Sequence, residues 1–181
     1  MSRVVANLCW MVPGVVGGSE EYTTRLLRAV SDEPTAGIDV ELAGMNDLAS
    51  SHPDLVERYP TAMAPIGGAR RPLRLAMESS WLTRRSRGAD LVHHFGGHVP
   101  AMRSVPAAVT IHDTQPLDMP ENFSRSKRAY MRRMLPRTVA AADLICTPSE
   151  WVAGRVVDRL GADPSKLRVV PSTWDDPGPD V

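Results

Sequence analysis

Short apolar runs alternate with helix-period stretches along almost the whole chain, and this alternation restricts the fold more than any other feature of the sequence. The runs Arg3–Cys9, Ile38–Ala43, Ala62–Ile66, Asp90–Phe95, Ala107–His112, Asp143–Thr147 and Leu167–Pro171 have the length and character of strands buried in a parallel sheet. After the first run, Ser19 is the expected N-cap of a helix, with Glu20 and Glu21 in its first turn and Tyr22, Leu26, Ala29 and Val30 as its apolar stripe, ending near Ser31. Leu48, Leu55 and Val56 suggest a second helix, and Leu73, Met77, Trp81 and Leu82 an amphipathic one over Arg71–Arg87. A basic helix is predicted over Ser124–Ala142, with Pro136 expected to kink or interrupt it. Ser149 caps a last helix whose apolar face is Val152, Val156 and Leu160, and Gly161 stops it. Strands alternating with helices in this way predict an α/β fold, a Rossmann-like doubly wound parallel sheet with helices on both faces.

The expected organisation is one domain over residues 1–172, followed by a Pro-, Gly- and Asp-rich linker or tail over 173–181. With 43% hydrophobic and 23% charged residues among 181, the chain has the composition of a globular domain able to bury a core. The run Val4–Val16 contains Asn7 and Pro13 and leads into a helix start, which reads as strand and loop rather than as a signal peptide. No segment offers the roughly 18 uninterrupted apolar residues of a membrane span. Cys9 and Cys146 both sit in apolar runs, which suits reduced core thiols and a cytoplasmic location better than a disulfide framework.

Lys and Arg (21) balance Asp and Glu (21), but unevenly along the chain. Between Asp32 and Glu57 every charged residue is acidic, whereas Arg70–Arg87 and Arg125–Arg137 are rich in arginine. These basic stretches read either as solvated helix faces or as a surface for anionic lipid headgroups or phosphorylated acceptors, placing the protein peripherally at the inner face of a membrane. No nucleic-acid motif or stacking-aromatic pattern accompanies the arginines, so nucleic acid is not an expected partner.

Ligands of open parallel sheets bind beyond the carboxyl ends of the strands, and chemically capable residues collect there. Gly17 and Gly18 precede the first helix, where a bare backbone and a helix N-terminus can approach a phosphate; a tight connection would use the same residues. His94, Gly96, Gly97 and His98 follow one strand, and His112 with Asp113 end the next. A histidine at a strand tip can donate to a sugar hydroxyl or to charge developing on a leaving group, or can merely be bonded within its loop. His94, His98, His112 and Asp113 match no recognised metal-ligand spacing. Neither G-x-G-x-x-G nor a Walker pattern is present, which removes the fingerprints of nicotinamide or flavin cofactors and of P-loop nucleotide binding. Trp10, Trp81, Trp151 and Trp174 read as core or edge aromatics, with Trp81, set among basic residues, suited also to a membrane interface.

Four ordered segments carry a family resemblance: Pro13–Leu27 (PGVVGGSEEYTTRLL); Asp90–His94 (DLVHH); Val109–Leu117 (VTIHDTQPL) with Met119–Phe123 (MPENF); and Ala141–Glu150 (AADLICTPSE) with Leu160–Pro171 (LGADPSKLRVVP). Together they resemble the N-terminal domain of glycosyltransferase family 4, retaining enzymes of the GT-B fold. The resemblance implies transfer of a sugar from a nucleotide-sugar donor to a glycan or lipid-linked acceptor, without a cofactor or essential metal, and most resembles the mannosyl-type members. It implies that Gly17 and Gly18 face the donor diphosphate, that His112 contacts the donor sugar and that Asp113 shapes the acceptor side. Ser149 and Glu150 would open a helix on the interdomain cleft, Ser149 mainly as its cap, and His94 and His98 are acceptor-side candidates. Where the family continues with Asn-Gly and a donor domain, this sequence has Ser172-Thr173 and ends at Val181. The expectation is therefore an acceptor-side half that binds acceptor by itself and needs a C-terminal domain, in cis or in trans, to turn over. The alternative is a non-catalytic binding module for a glycan, a lipid-linked acceptor or an anionic membrane.

Overall fold

A computed structural model of the chain describes residues 1–12, 14–15, 17–33 and 37–171. The expected linker over 173–181, Ser172, Pro13 and Trp174 lie outside the described residues. The elements run β1 (Ser2–Asn7), α1 (Gly18–Asp32), β2 (Ile38–Met45), α2 (Leu48–Ser51), α3 (Pro53–Arg58), β3 (Thr61–Ala64), α4 (Arg71–Met77), a π-helical turn (Glu78–Leu82) and α5 (Thr83–Arg85). There follow β4 (Leu91–His94), β5 (Ala107–Thr110), α6 (Gln115–Asp118), a short 3₁₀ turn (Pro120–Asn122), α7 (Arg125–Ala141), β6 (Leu144–Thr147), α8 (Glu150–Leu160), a 3₁₀ turn (Pro164–Lys166) and β7 (Leu167–Val169).

Among the described residues, seven strands form one parallel sheet in the order β3-β2-β1-β4-β5-β6-β7. The chain starts at β1, builds outward through β2 and β3, then crosses to the other side of β1 and builds outward again. The direction therefore reverses between β1 and β4, and such a switch point leaves a crevice beyond the strand ends.

Period-2 alternation distributes the core to both faces. Ala6, Leu8 and Leu42 pack with Leu27 of α1 and Leu55 of α3. Val5, Ala43 and Val92 meet Leu82 on the opposite face, where Cys9, Met45 and Ala64 continue the layer. Val109, Ile111 and Ile145 form a further core with Val139 of α7 and Val152 and Val156 of α8.

Several sequence expectations shift in the structure. β1 stops at Asn7 because the Asn7 side-chain oxygen accepts the Cys9 backbone N–H at 3.0 Å; Cys9 is buried just past the strand, and it and Cys146 are free thiols. Gly17, not Ser19, is the N-cap of α1: its φ of +64° bends the chain into the helix two residues earlier. The stretch 71–87 is not one regular helix but takes in an extra residue as a wider π-helical turn at Glu78–Leu82. The extra residue rotates the apolar stripe, so Leu82 is buried while Leu73 stays 47% exposed. Trp81 packs against the core rather than forming an exposed interfacial anchor. Trp151 stands 66% exposed under the Arg155 guanidinium and is not a core residue. Helix α7 runs through Pro136 without interruption. As predicted, Ser149 caps α8 by accepting from Val152 N–H at 3.3 Å, and Gly161 ends it in the left-handed conformation.

Candidate functional site at the carboxyl end of the sheet

A cleft of about 610 Å³ opens beyond the ends of β1, β4 and β5. Its floor is Trp10, Gly96, Gly97 and Ile111, and His112 and Asp113 stand at its centre. Val15 and Ser19, at the entrance of α1, form one rim; Arg71 and Arg74 of α4 and Lys127 of α7 form the others. Three permanent cations face one carboxylate, so the cleft favours anionic groups.

Trp10 sets the floor. A Cβ at residue 96 would lie 2.3 Å from Trp10 Cγ, so only glycine lets the indole lie across the β4 end. Trp10 is tilted against the His112 ring at 6.3 Å, and Tyr22 meets the same ring edge-on at 5.1 Å. His112 is thus clamped between two aromatic side chains. Its Nε2 lies 2.8 Å from the Phe95 carbonyl oxygen. A carbonyl only accepts, so Nε2 carries the proton and the neutral ring keeps a lone pair on Nδ1. Burial holds the ring's pKa below the ordinary histidine value, partly offset by the Phe95 hydrogen bond and by Asp113. At neutral pH His112 is therefore a fixed acceptor at Nδ1, suited to receive a hydroxyl proton in a hydrogen bond. The donor role expected for it from sequence is taken up by the Phe95 carbonyl.

Asp113 spends one carboxylate oxygen on the Gln115 N–H at 2.9 Å, which organises the turn into α6. Gly17 and Gly18 are exposed at the start of α1, and nothing lies within 4 Å of where a Cβ would stand at either. Glu20 ties the loop before them, accepting from Gly14 N–H at 3.2 Å while its other oxygen meets His52 at 2.8 Å. The basic rim is also anchored: Arg71 stacks 4.2 Å over Tyr130 of α7, Arg74 donates to the Gly68 carbonyl at 3.0 Å, and Lys127 sits 4.6 Å over Phe123.

The structure brings His112 and Asp113 to the cleft but places the other expected site residues around it. His94 is 3% exposed on the opposite face of the sheet, paired in register with Asn7. Its Nδ1 accepts from the Asn7 amide at 3.0 Å, and the same amide donates to Glu78 at 3.2 Å. His98 Nδ1 lies 4.0 Å from the other Glu78 oxygen. Burial pushes Glu78 up to about 7, against the Asn7 hydrogen bond and Arg74, and holds His94 down at about 3. This polar knot joins β1, β4 and the π-helical turn behind the cleft. Ser149 and Glu150 start α8 beyond β6 and do not line the cleft. Among the described residues no group of three or more His, Cys, Asp or Glu side chains is arranged to hold a metal ion.

Sequence reasoning missed Trp10, Asn7 and Glu78 as parts of the site and its support. Trp10 follows an apolar strand and reads as core. Glu78 lies 71 residues from Asn7, and only the π-helical turn aims it at the sheet.

The family model of Glycosyltransferase Family 4 matches residues 16–176. A search of curated proteins finds no match. Among solved structures, the chain is similar to Anabaena Alr3699/HepE in complex with UDP and glucose (15% identity, TM-score 0.59, covering 97% of this chain and 45% of that one). It is also similar to a glycosyltransferase from Rickettsia africae (11% identity, TM-score 0.54, 94% and 42% covered). A third similar structure is a putative UDP-N-acetylglucosamine 2-epimerase from Listeria monocytogenes (11% identity, TM-score 0.60, 91% and 44% covered). The chain thus spans less than half the length of each of these structures.

Proposed function

This chain belongs to Glycosyltransferase Family 4, and we propose that it forms the acceptor-side half of a retaining sugar transferase that uses a nucleotide-sugar donor. The observation that carries the proposal is His112, immobilised between Trp10 and Tyr22 with Nε2–H tied to a carbonyl, in a cleft rimmed by Arg71, Arg74 and Lys127. One ring nitrogen is left for a sugar hydroxyl, and Arg71, Arg74 and Lys127 outnumber the single carboxylate of Asp113 around it. Such a constellation stabilises a departing diphosphate electrostatically, with no metal needed. That one structure of the same fold is in complex with UDP and glucose supports the reading of a nucleotide-sugar donor.

In the proposed reaction the bond between the anomeric carbon and the diphosphate oxygen breaks. The acceptor hydroxyl oxygen attaches on the same face, and the hydroxyl proton leaves with the nucleoside diphosphate. His112 Nδ1 holds a donor-sugar hydroxyl. The open space before Gly17 and Gly18, at the amino end of α1, receives the diphosphate, where the helix contributes about half a positive charge. Asp113 borders the acceptor. Ser149 and Glu150 face the second domain, which supplies the rest of the donor site in cis or in trans; alone, this chain binds acceptor but does not turn over.

The test is reconstitution. The chain is mixed with an equimolar C-terminal domain of the family and assayed with GDP-mannose, UDP-glucose and UDP-N-acetylglucosamine, GDP-mannose first. Transfer with retained anomeric configuration, dependent on both polypeptides, is expected. Inverted product, or transfer by the second domain alone, would overturn the reading.

A further inference from the structure

Helix α7 divides two cavities. Lys127, Met131 and Leu135, at successive i, i+4 positions, face the cleft described above. Arg125, Arg128, Ala129 and Arg132, at i, i+3, i+4 and i+7, line a second cavity of about 620 Å³ on the adjacent side of the helix. Pro116 of α6 borders both cavities, and Arg159 of α8 closes the second from across.

The charge of this second cavity is uncompensated. Asp118 is already spent on Arg155, on Arg159 at 3.2 Å and on the Thr114 hydroxyl at 2.5 Å. One carboxylate therefore serves two guanidinium groups. Among the described residues no carboxylate lines the cavity, and Arg125, Arg128 and Arg132 have no ion-pair or hydrogen-bond partner through their side chains. Elsewhere arginines do find carboxylates: Arg3 with Glu41, Arg28 with Asp54, Arg58 with Asp32 and Arg103 with Asp143. Three like charges stacked along one helix face repel one another unless an anion is present. Guanidinium forks match phosphate oxygens in pairs, and the buried Pro116 gives this side of the cavity an apolar backing.

We propose that this cavity is a second binding site, for a group carrying clustered phosphate, held by Arg125, Arg128 and Arg132 with Arg159 opposite. It is separate from the donor diphosphate position and does not rest on the reading of the cleft. The phosphate comes either from a soluble diphosphate or from the headgroups of an anionic lipid surface.

Two probes distinguish these sources. Inorganic pyrophosphate is titrated calorimetrically into the chain, and flotation is measured with phosphatidylcholine vesicles with and without phosphatidylglycerol. Each assay uses the wild type, R125Q/R128Q/R132Q, and R133Q/R137Q, which removes the same kind of charge from α7 outside the cavity. Loss of charge-assisted contacts is expected to weaken binding by about tenfold or more in the triple variant, with R133Q/R137Q close to wild type. The single variant R128Q, expected to weaken binding partially, serves if the triple variant does not fold. Saturable pyrophosphate binding with this pattern assigns a soluble phosphate ligand; flotation with this pattern assigns lipid headgroups. If neither probe binds, if the cavity substitutions leave binding untouched, or if both variants lose it equally, the site does not exist.

Discussion

At the scale of single residues, the site depends on close approach rather than on unusual chemistry. Gly96 makes the Trp10 floor possible, and Trp10 in turn holds the His112 ring. Gly96→Ala forces the indole or the β4 end to move, and overpacking of this kind costs about 1–3 kcal/mol. Urea unfolding is expected to report that loss, and reconstituted transfer should fall with it; an alanine variant of wild-type stability would mean that Trp10 swings away freely. The strand-tip position of His112 and Asp113 was legible in the sequence, because strand ends in a parallel sheet are where ligands go. The state of His112 was not, since its proton is fixed by Phe95, seventeen residues away. His94 illustrates the same limit. Its neighbours alternate Val92 and His94 against His93 and Phe95, so its side depends on register with Asn7, which local pattern does not reveal.

At the scale of elements, local signals worked where local physics decides. The Ser149 cap and the Gly161 stop of α8 are both present because a side-chain oxygen near free N–H groups and a left-handed C-terminal residue need nothing from elsewhere. Ser149→Ala is expected to lower stability by about 1 kcal/mol, read as a shifted denaturation midpoint; no shift would show that the cap is redundant. Pro136 is the counter-example. It is exposed within α7 and leaves Arg132 without an intrahelical N–H partner from residue 136, yet burial of Leu135, Thr138 and Val139 keeps the helix continuous. Pro136→Ala is therefore expected to stabilise the chain, by at most about 3 kcal/mol; destabilisation would mean that the proline shapes α7 for packing. The π-helical turn at Glu78–Leu82 left no local signature, because its reason is a distant one, the Asn7 amide.

At the scale of the whole molecule, the buried polar knot behind the cleft couples folding to pH. Glu78 titrates at about 7 in the folded protein against 4.5 ordinarily, so it favours the fold below pH 4.5 and loses that contribution as pH rises through 7. His94 and His93, held at about 3 and about 4 against 6.5, act the other way: they favour the fold above 6.5 and lose that contribution as pH falls through 4 and 3. Between 4.5 and 6.5 two histidines outweigh one carboxyl, so stability rises with pH, then declines gently until Glu78 is ionised. Glu78→Gln is expected to steepen the rise and remove the decline, measured as melting temperature against pH; a profile parallel to wild type would show that Glu78 is ionised throughout.

The parallel α/β sheet was legible in the alternation of runs along the sequence, whereas the strand order and the switch point between β1 and β4, which opens the cleft, depend on pairings between distant segments. We propose that the cleft at that switch point is half of a glycosyl-transfer site organised by His112. The most direct test is the rate of nucleoside diphosphate release in the reconstituted two-domain assay, comparing wild type, His112→Ala and His112→Gln. Loss of a positioned hydrogen bond to the donor sugar predicts a fall of about a hundredfold or more for His112→Ala, on the scale of single positioned groups in such sites, with folding unchanged. Wild-type rates in the alanine variant would contradict the claim.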